Sequence, residues 1–348
     1  MTLLEGRAGG STVYAQSLVE ALAERDDVDV EVISAGADGG LNTARWMVSG
    51  ARDRLRATRA AVLHSPAFLT PFNSGVPTVI TIHDLSLGSM PSGHPLEWRL
   101  YYRLAVPRVA RRAAALITHT ETIRREIIAA FGVSPNRVVA IPSGVDASFL
   151  GLPPRDRSAN SAEPLILFPG PPIGRKNLDL VLRALGSAAP GSALARARLE
   201  ITGALAPEFP SYEREIADRG LQARVRWLGR LPFGDLPALY QGADLLVYPS
   251  FLEGFGFPPL EAMAAGTPVV AAAASSLPEV LADGALLVDP RDDAGFADAV
   301  ESVLMRPELR QKLVAAGAAR ARTFTWARSA EATLAVYRAA AAGVSPAS

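Results

Sequence analysis

Three observations on this 348-residue sequence predict an α/β fold of two parallel-sheet domains. Apolar runs of strand length alternate with segments of helical periodicity along the whole chain. The alternation occurs twice, on either side of a stretch rich in Pro, Ser and charge. The length allows two domains of roughly 100–200 residues, each large enough to bury its own core.

In the first half, helical spacing over Ser11–Glu24 places Tyr14, Leu18, Ala21 and Leu22 on one face, with Ser11 as the expected N-cap. The runs "VDVEVIS", "AAVLHS", "PTVITIHD" and "AALITHT" read as strands. "LGLPPRDRSANSAEP", Leu150–Pro164, reads as the linker. The second half runs "LILFPG", the helical "NLDLVLRAL", then the strands "ARLEITG", "RVRWLG", "DLLVYPS", "TPVVAA" and "ALLVDP". A final amphipathic helix, "FTWARSAEATLAVYRAAAAG", closes the chain. "MTLL" is too short for a central first strand of about 5–6 residues and leads straight into "EGRAGG", which reads as the loop after such a strand. The expectation is that the first strand is missing and that the true start codon lies upstream.

Composition excludes several classes. Cys is absent, so disulfides, thiolate metal sites and cysteine nucleophiles are excluded, and a reducing compartment fits. Net charge is zero, with no call for nucleic acid as a partner. Pro66, Pro71 and Pro77 break one long uncharged run and Gly266 and Pro268 the other, so neither reads as a membrane span. The N-terminus has no apolar signal-peptide core. Charge is uneven locally: residues 41–125 hold twelve Arg against four acids. Here Trp98, Tyr101 and Tyr102 mix with Arg99, Arg103, Arg108, Arg111 and Arg112, which reads as a solvated helix face or a surface for an anionic headgroup.

Three elements carry chemistry. In "EGFGFPPLEAMAAG", Pro258 and Pro259 suit the first turn of a helix and Gly266 its C′ position, which puts Glu261 in the first turn. Glu253 then lies in the loop leaving the strand "DLLVYPS", and Gly254, Phe255 and Gly256 form the turn whose N–H groups face an anion. Both carboxylates fall at the carboxyl edge of the sheet, where such folds place ligands, and a carboxylate there can accept both hydroxyls of a ribose diol. In "FPGPPIGRKNLDLVLRAL", a loop between strand and helix delivers Arg175 and Lys176 to a phosphate. Lys176 is one of two lysines in a chain with 33 arginines. His83 ends an apolar strand and faces the same kind of edge, where it would contact a sugar hydroxyl or a phosphate. His64, His94 and His119 have no comparable context. Asp27–Asp29 matches a D-x-D metal pattern at the wrong edge of its sheet, so no metal is expected.

With these elements placed, the sequence resembles the retaining glycosyltransferases of family 4 (group 1), in their mannosyltransferase-like branch. The resemblance rests on the E-x7-E segment Glu253–Gly266, on "GRKNLDLVLRAL", on "SLPEVLADGALLVDP" and on "GVPTVITIHDLS", and it covers nearly the whole chain. It implies the GT-B architecture, two Rossmann-like domains facing across a cleft. The expected division is an acceptor domain at 1–152, a nucleotide-sugar domain at 153–325, and a helix at 326–348 that returns to the first domain.

By position, Glu261 would bind the ribose and Arg175 and Lys176 the donor diphosphate. Glu253 and His83 would approach the transferred sugar, and Gly9 and Gly10 would line the phosphates. The implied reaction is metal-independent transfer of a hexose, with mannose as one candidate, from a UDP-, GDP- or ADP-sugar. No cofactor is implied beyond the nucleotide-sugar, which is the substrate. The acceptor would be a hydroxyl of a glycan or lipid-linked glycan in polysaccharide synthesis. The expected place is the cytoplasm, with peripheral contact at the inner face of the membrane. A catalytically silent nucleotide-sugar-binding partner and a sugar-nucleotide epimerase are the same-fold alternatives. "THTETIRRE" stands where the family often has "VSEFSRRE", a departure that bears on acceptor contacts.

Overall fold

A computed structural model describes residues 9–33, 51–68, 70, 71, 74–86, 101–153, 162–204 and 209–346. It divides into two compact units, Met1–Gly144 with Thr325–Ser348, and Val145–Phe324. The division falls ahead of the expected boundary at 152/153, and the last helix belongs to the first unit.

In the first unit, helix α1 spans Gly10–Ala23 and α2 Ala51–Thr58. Strands β1 (Leu63–Ser65), β2 (Thr78–Thr81), β3 (Ala115–Thr118) and β4 (Val138–Ala140) form a parallel sheet in the order β1-β2-β3-β4. Between them lie α3 (Val106–Arg112) and α4 (Glu121–Phe131). Thr120 caps α4 by accepting from the Ile123 N–H, and Gly132, with φ 61°, ends it in the left-handed conformation. Alternation along the strands sends Ile80, Leu116 and Val138 to the core with α3 and α4. Val79, Ala115 and Ile117 go to the other face, against Val336 and Ala340 of the final helix.

Two local readings are corrected here. Helix α1 starts from Gly9 (φ 97°) with no side-chain cap, so Ser11 lies inside the helix rather than before it. "VDVEVIS" forms no strand over residues 28–33, and β4, which follows the "THTETIRRE" helix, had not been read as a strand. Residues of "MTLL" and "EGRA" lie outside the described residues.

The second unit runs β5 (Leu165–Phe168), α5 (Leu178–Gly186), β6 (Arg198–Thr202), α6 (Phe209–Asp218), β7 (Val225–Gly229), α7 (Leu236–Gly242) and β8 (Leu245–Tyr248). It continues with α8 (Phe257–Ala264), β9 (Val269–Ala272), α9 (Leu277–Leu281), β10 (Leu286–Val288), α10 (Asp293–Met305) and α11 (Pro307–Ala321). Helix α12, Trp326–Ala341, then rejoins the first unit. The six parallel strands lie in the order β10-β9-β8-β5-β6-β7. The first strand, β5, is therefore central, and chain connections depart from it in both directions. Ile166 and Phe168 pack to one face with Leu199 and Val247, and Leu167, Leu246 and Tyr248 to the other. Each fully buried side chain of this kind contributes about 1.5–3 kcal/mol. The loops after β5 and β8 emerge side by side at the carboxyl edge because those strands are neighbours.

Candidate functional site

The β5 and β8 loops are stitched together at Arg175. Its carbonyl accepts from the Phe251 N–H at 2.8 Å, and its guanidinium donates to the Leu252 carbonyl at 2.8 Å and to Glu253 Oε1 at 2.6 Å. The same Oε1 accepts from Ser250 Oγ at 2.7 Å and lies 3.4 Å from Lys176 Nζ. Lys176 donates to the Tyr248 hydroxyl at 2.6 Å, with its ammonium 4.4 Å from the centre of that ring. Lys176 and Glu253 are each 7% exposed, so the charges meet largely out of water. Burial pushes the lysine below its usual range, opposed by Glu253. Burial alone would raise the Glu253 carboxyl; Lys176, Arg175, Ser250 and Tyr248 outweigh it and hold the group ionised.

The supporting backbone leaves little room. Gly203, with φ 103°, brings the β6 loop so close to the β5 loop that a Cβ there would lie 2.4 Å from the Pro171 nitrogen. Asn177, also in the left-handed conformation at φ 59°, donates its side-chain amide to the carbonyls of Pro249 and Pro290. Loops after β5, β8 and β10 are thereby tied to one side chain. The loop after β9 adds Ser275 and Ser276, whose hydroxyls both donate to the Glu253 carbonyl at 2.8 and 2.7 Å.

Gly256 (φ 94°) precedes α8, and Pro258 and Pro259 fill its first turn, with Gly266 (φ 76°) after its C-cap. Because α8 starts at Phe257, Glu261 is its fifth residue and sits in the second turn, not the first. It is 6% exposed, and burial, reinforced by Asp146 and opposed by a hydrogen bond from Tyr240, pushes its carboxyl up to about 7. The structure thus brings Arg175, Lys176 and Glu253 together and gives Glu261 a separate partner. A tyrosine serves each group: Tyr240 bonds Glu261, and Tyr248 bonds Lys176 and Glu253. Neither tyrosine, nor Asn177, Ser250, Ser275 or Ser276, was found by sequence reasoning. Tyr248 ends a strand already located, and its position beside Glu253 was the available signal.

In the first unit, His83 stands two residues beyond β2 and His119 one beyond β3. The register Thr81↔Ile117, continued by two residues, sets these side by side. His83 Nδ1 and His119 Nε2 are 2.7 Å apart, His83 Nε2 is 2.8 Å from the Pro66 carbonyl, and Ser143 Oγ is 3.1 Å from His119 Nδ1. Pro66 only accepts, so His83 carries its proton on Nε2 and, as a neutral ring, accepts at Nδ1 from His119, which also meets Ser143 Oγ and the Ile141 carbonyl. Burial pushes both imidazoles below their usual range, consistent with neutral rings. A sugar hydroxyl would have to replace Pro66 to reach His83 Nε2. The Tyr14 ring stands edge-on to both imidazoles, its centre 5.2 Å from that of His83 and 4.9 Å from that of His119.

Gly9 and Gly10 start α1. Asp27 of the D-x-D sequence is held by Arg25 at 2.8 Å and Arg338 at 2.7 Å. In the basic segment, Arg103, Arg108, Arg111 and Arg112 are exposed, with Arg108 and Arg111 donating to the carbonyls of Leu104 and Phe131. Trp98 and Arg99, the side chains of Tyr101 and Tyr102, and His94 lie outside the described residues. Among the described residues, no helix is long and apolar enough to cross a membrane.

Two parallel-sheet α/β units, one with cations gathered at the carboxyl edge of its sheet, define the GT-B class of glycosyltransferase. Residues 154–320 match the family model described as glycosyl transferases group 1, and residues 8–149 match glycosyltransferase family 4. The chain is 30% identical over 295 residues to an O-antigen chain mannosyltransferase B of Escherichia coli, covering 82% of this chain and 76% of that one. It is also 30% identical over 390 residues to a D-inositol 3-phosphate glycosyltransferase of Frankia alni, covering 96% and 95% of the two chains. Sucrose-phosphate synthase of Thermosynechococcus elongatus shares the fold at a TM-score of 0.74, with 22% identity over 96% of this chain and 94% of that one. WaaG, a glycosyltransferase involved in lipopolysaccharide biosynthesis, does so at 0.73, with 19% identity over 95% and 96%. The chain belongs to the group 1 glycosyltransferases of family 4, and it is a glycosyltransferase.

Proposed function

We propose that this enzyme moves a hexose from a nucleoside-diphosphate sugar to a hydroxyl of a glycan or lipid-linked glycan, without a metal and with retention at the anomeric carbon. The observation that carries the reading is the Arg175–Lys176–Glu253 cluster, two cations sharing one carboxylate at the carboxyl edge of a parallel sheet. Its net positive charge suits an anionic diphosphate, and charge-assisted bonds contribute about 1.5–3 kcal/mol each. They count most as the bond from the anomeric carbon to the diphosphate oxygen breaks and charge grows on that oxygen.

Glu253 is held by Arg175 and Ser250 and is poorly placed as a free nucleophile, which favours front-face transfer over a double displacement. The acceptor oxygen then forms the new bond on the face the diphosphate leaves, and its proton passes to a departing phosphate oxygen. Glu261, with Tyr240 to orient it, supplies the carboxylate for a ribose diol. Mannose as the sugar is suggested by the mannosyltransferase relative, and a nucleotide-sugar donor by the structure of Anabaena HepE with UDP-glucose, which shares this fold.

The test is a panel of UDP-, GDP- and ADP-sugars in a thermal-shift assay with EDTA present. One donor raises the midpoint saturably, and Lys176→Ala and Glu261→Ala each abolish the rise. Unchanged affinity in both variants would sink the reading, and loss of the wild-type shift on adding EDTA would sink metal independence. The anomeric configuration of the product, read by NMR, decides retention.

A further inference from the structure

A lysine ammonium is a compact charge on a flexible stem, with three rotatable donors and no preferred direction of its own. In Lys176 two contacts restrict it. The stem lies against Gly170 (φ 96°), where a Cβ would come within 3.3 Å of both Cε and Nζ. The ammonium stands over the Tyr248 ring, 4.4 Å from its centre. Among the described residues its nearest acceptor is not the carboxylate. Arg175 and Ser250 occupy Glu253 Oε1 at 2.6 and 2.7 Å, and Lys176 stands off that oxygen at 3.4 Å. The Tyr248 hydroxyl lies 2.6 Å from Nζ.

Tyr248 is 2% exposed at the end of β8, the strand beside β5, whose loop carries Lys176. Burial, and then the charge of Glu253, push its phenol well above the usual range, so it keeps its hydrogen. That hydrogen is donated to Glu253. A hydroxyl has no second one, so toward Lys176 its oxygen accepts. The result is a one-way chain from ammonium through hydroxyl to carboxylate, in which each bond polarises the next. One ammonium hydrogen is spent on the tyrosine and a second faces Glu253, which leaves the third for an incoming anion. Phenylalanine would fill the same place in the core and offer the lysine no such acceptor.

We propose that Tyr248 is a positioning residue of the donor site, its hydroxyl holding the Lys176 ammonium so that the remaining hydrogen meets the donor diphosphate. The proposal rests on the assignment of Arg175, Lys176 and Glu253 to that diphosphate, and it names the side chain that aims the lysine. The ring of Tyr248 serves the core, and the hydroxyl serves the ligand.

The test is Tyr248→Phe, which keeps the buried ring, read by calorimetric titration with UDP and with uridine and by NMR of the chain with its lysines isotopically labelled. The chain has two lysines, so the spectrum holds two ammonium signals, and replacing the exposed Lys312 by Arg assigns them. In Tyr248→Phe the affinity for UDP falls about tenfold, while that for uridine is unchanged. The Lys176 ammonium, deprived of its short acceptor, titrates at lower pH than in the wild type. A tyrosine that merely packs would move neither. Equal UDP affinity in the two chains overturns the proposal, and so does an unmoved Lys176 titration. A wild type that binds UDP no better than uridine, with the Lys176 titration still moved by the substitution, overturns the diphosphate assignment itself and the tyrosine's part in binding with it; the two failures are thereby told apart.

Discussion

Glu261 makes stability and donor affinity respond to pH in opposite directions. Its carboxyl moves from 4.5 to about 7 on folding, chiefly because burial disfavours the charged form. Between those values the native state holds a proton that the unfolded state has released, so stability falls as pH rises. The contribution is fully present below about 4.5 and lost through about 7. At 1.36 kcal/mol per pH unit the gap amounts to about 3 kcal/mol, of which about 2.5 kcal/mol is lost between pH 5 and 8.

A ribose diol needs the carboxylate, and at pH 6 only about one Glu261 in eleven is ionised. Donor affinity therefore rises about tenfold from pH 6 to 8, and binding at pH 6 releases about 0.9 proton. Calorimetry with a nucleotide-sugar in buffers of differing ionisation enthalpy reads both, since its diphosphate diester does not titrate in this range. Glu261→Gln flattens the affinity profile and removes the matching slope from urea unfolding at pH 5 and 8. A donor affinity independent of pH in the wild type, or a slope that survives in Glu261→Gln, refutes the reasoning.

Glu253→Gln leaves the buried Lys176 and the half-buried Arg175 without their anion; it costs about 3–5 kcal/mol in chemical unfolding, and UDP, unlike uridine, stabilises the variant more than the wild type. Gly203→Ala drives a Cβ against the Pro171 nitrogen and forces a left-handed alanine. A loss of about 2–5 kcal/mol in thermal unfolding is expected, together with weaker UDP binding, because the displaced β5 loop carries Lys176. His119→Ala removes the donor to His83 Nδ1 and costs about 1–3 kcal/mol, and nitrogen NMR of the wild type finds His83 protonated on Nε2 alone.

The sequence by itself determined both sheets in outline, the final helix, and the charged residues that meet at the candidate site. Strand runs such as "LILF" and "LLVY" are apolar on both faces because helices cover both, and that signal is local. Arg175, Lys176 and Glu253 were legible because loop, glycine and charge adjoin in sequence. Tertiary structure alone decided which groups meet. Strand adjacency, not sequence distance, puts Glu253 on Arg175 and His119 on His83, and burial sets Glu261 near neutrality. "VDVEVIS" has the pattern of a strand, and residues 28–33 form none: pairing with a neighbour's backbone is a tertiary matter that no pattern within one segment supplies.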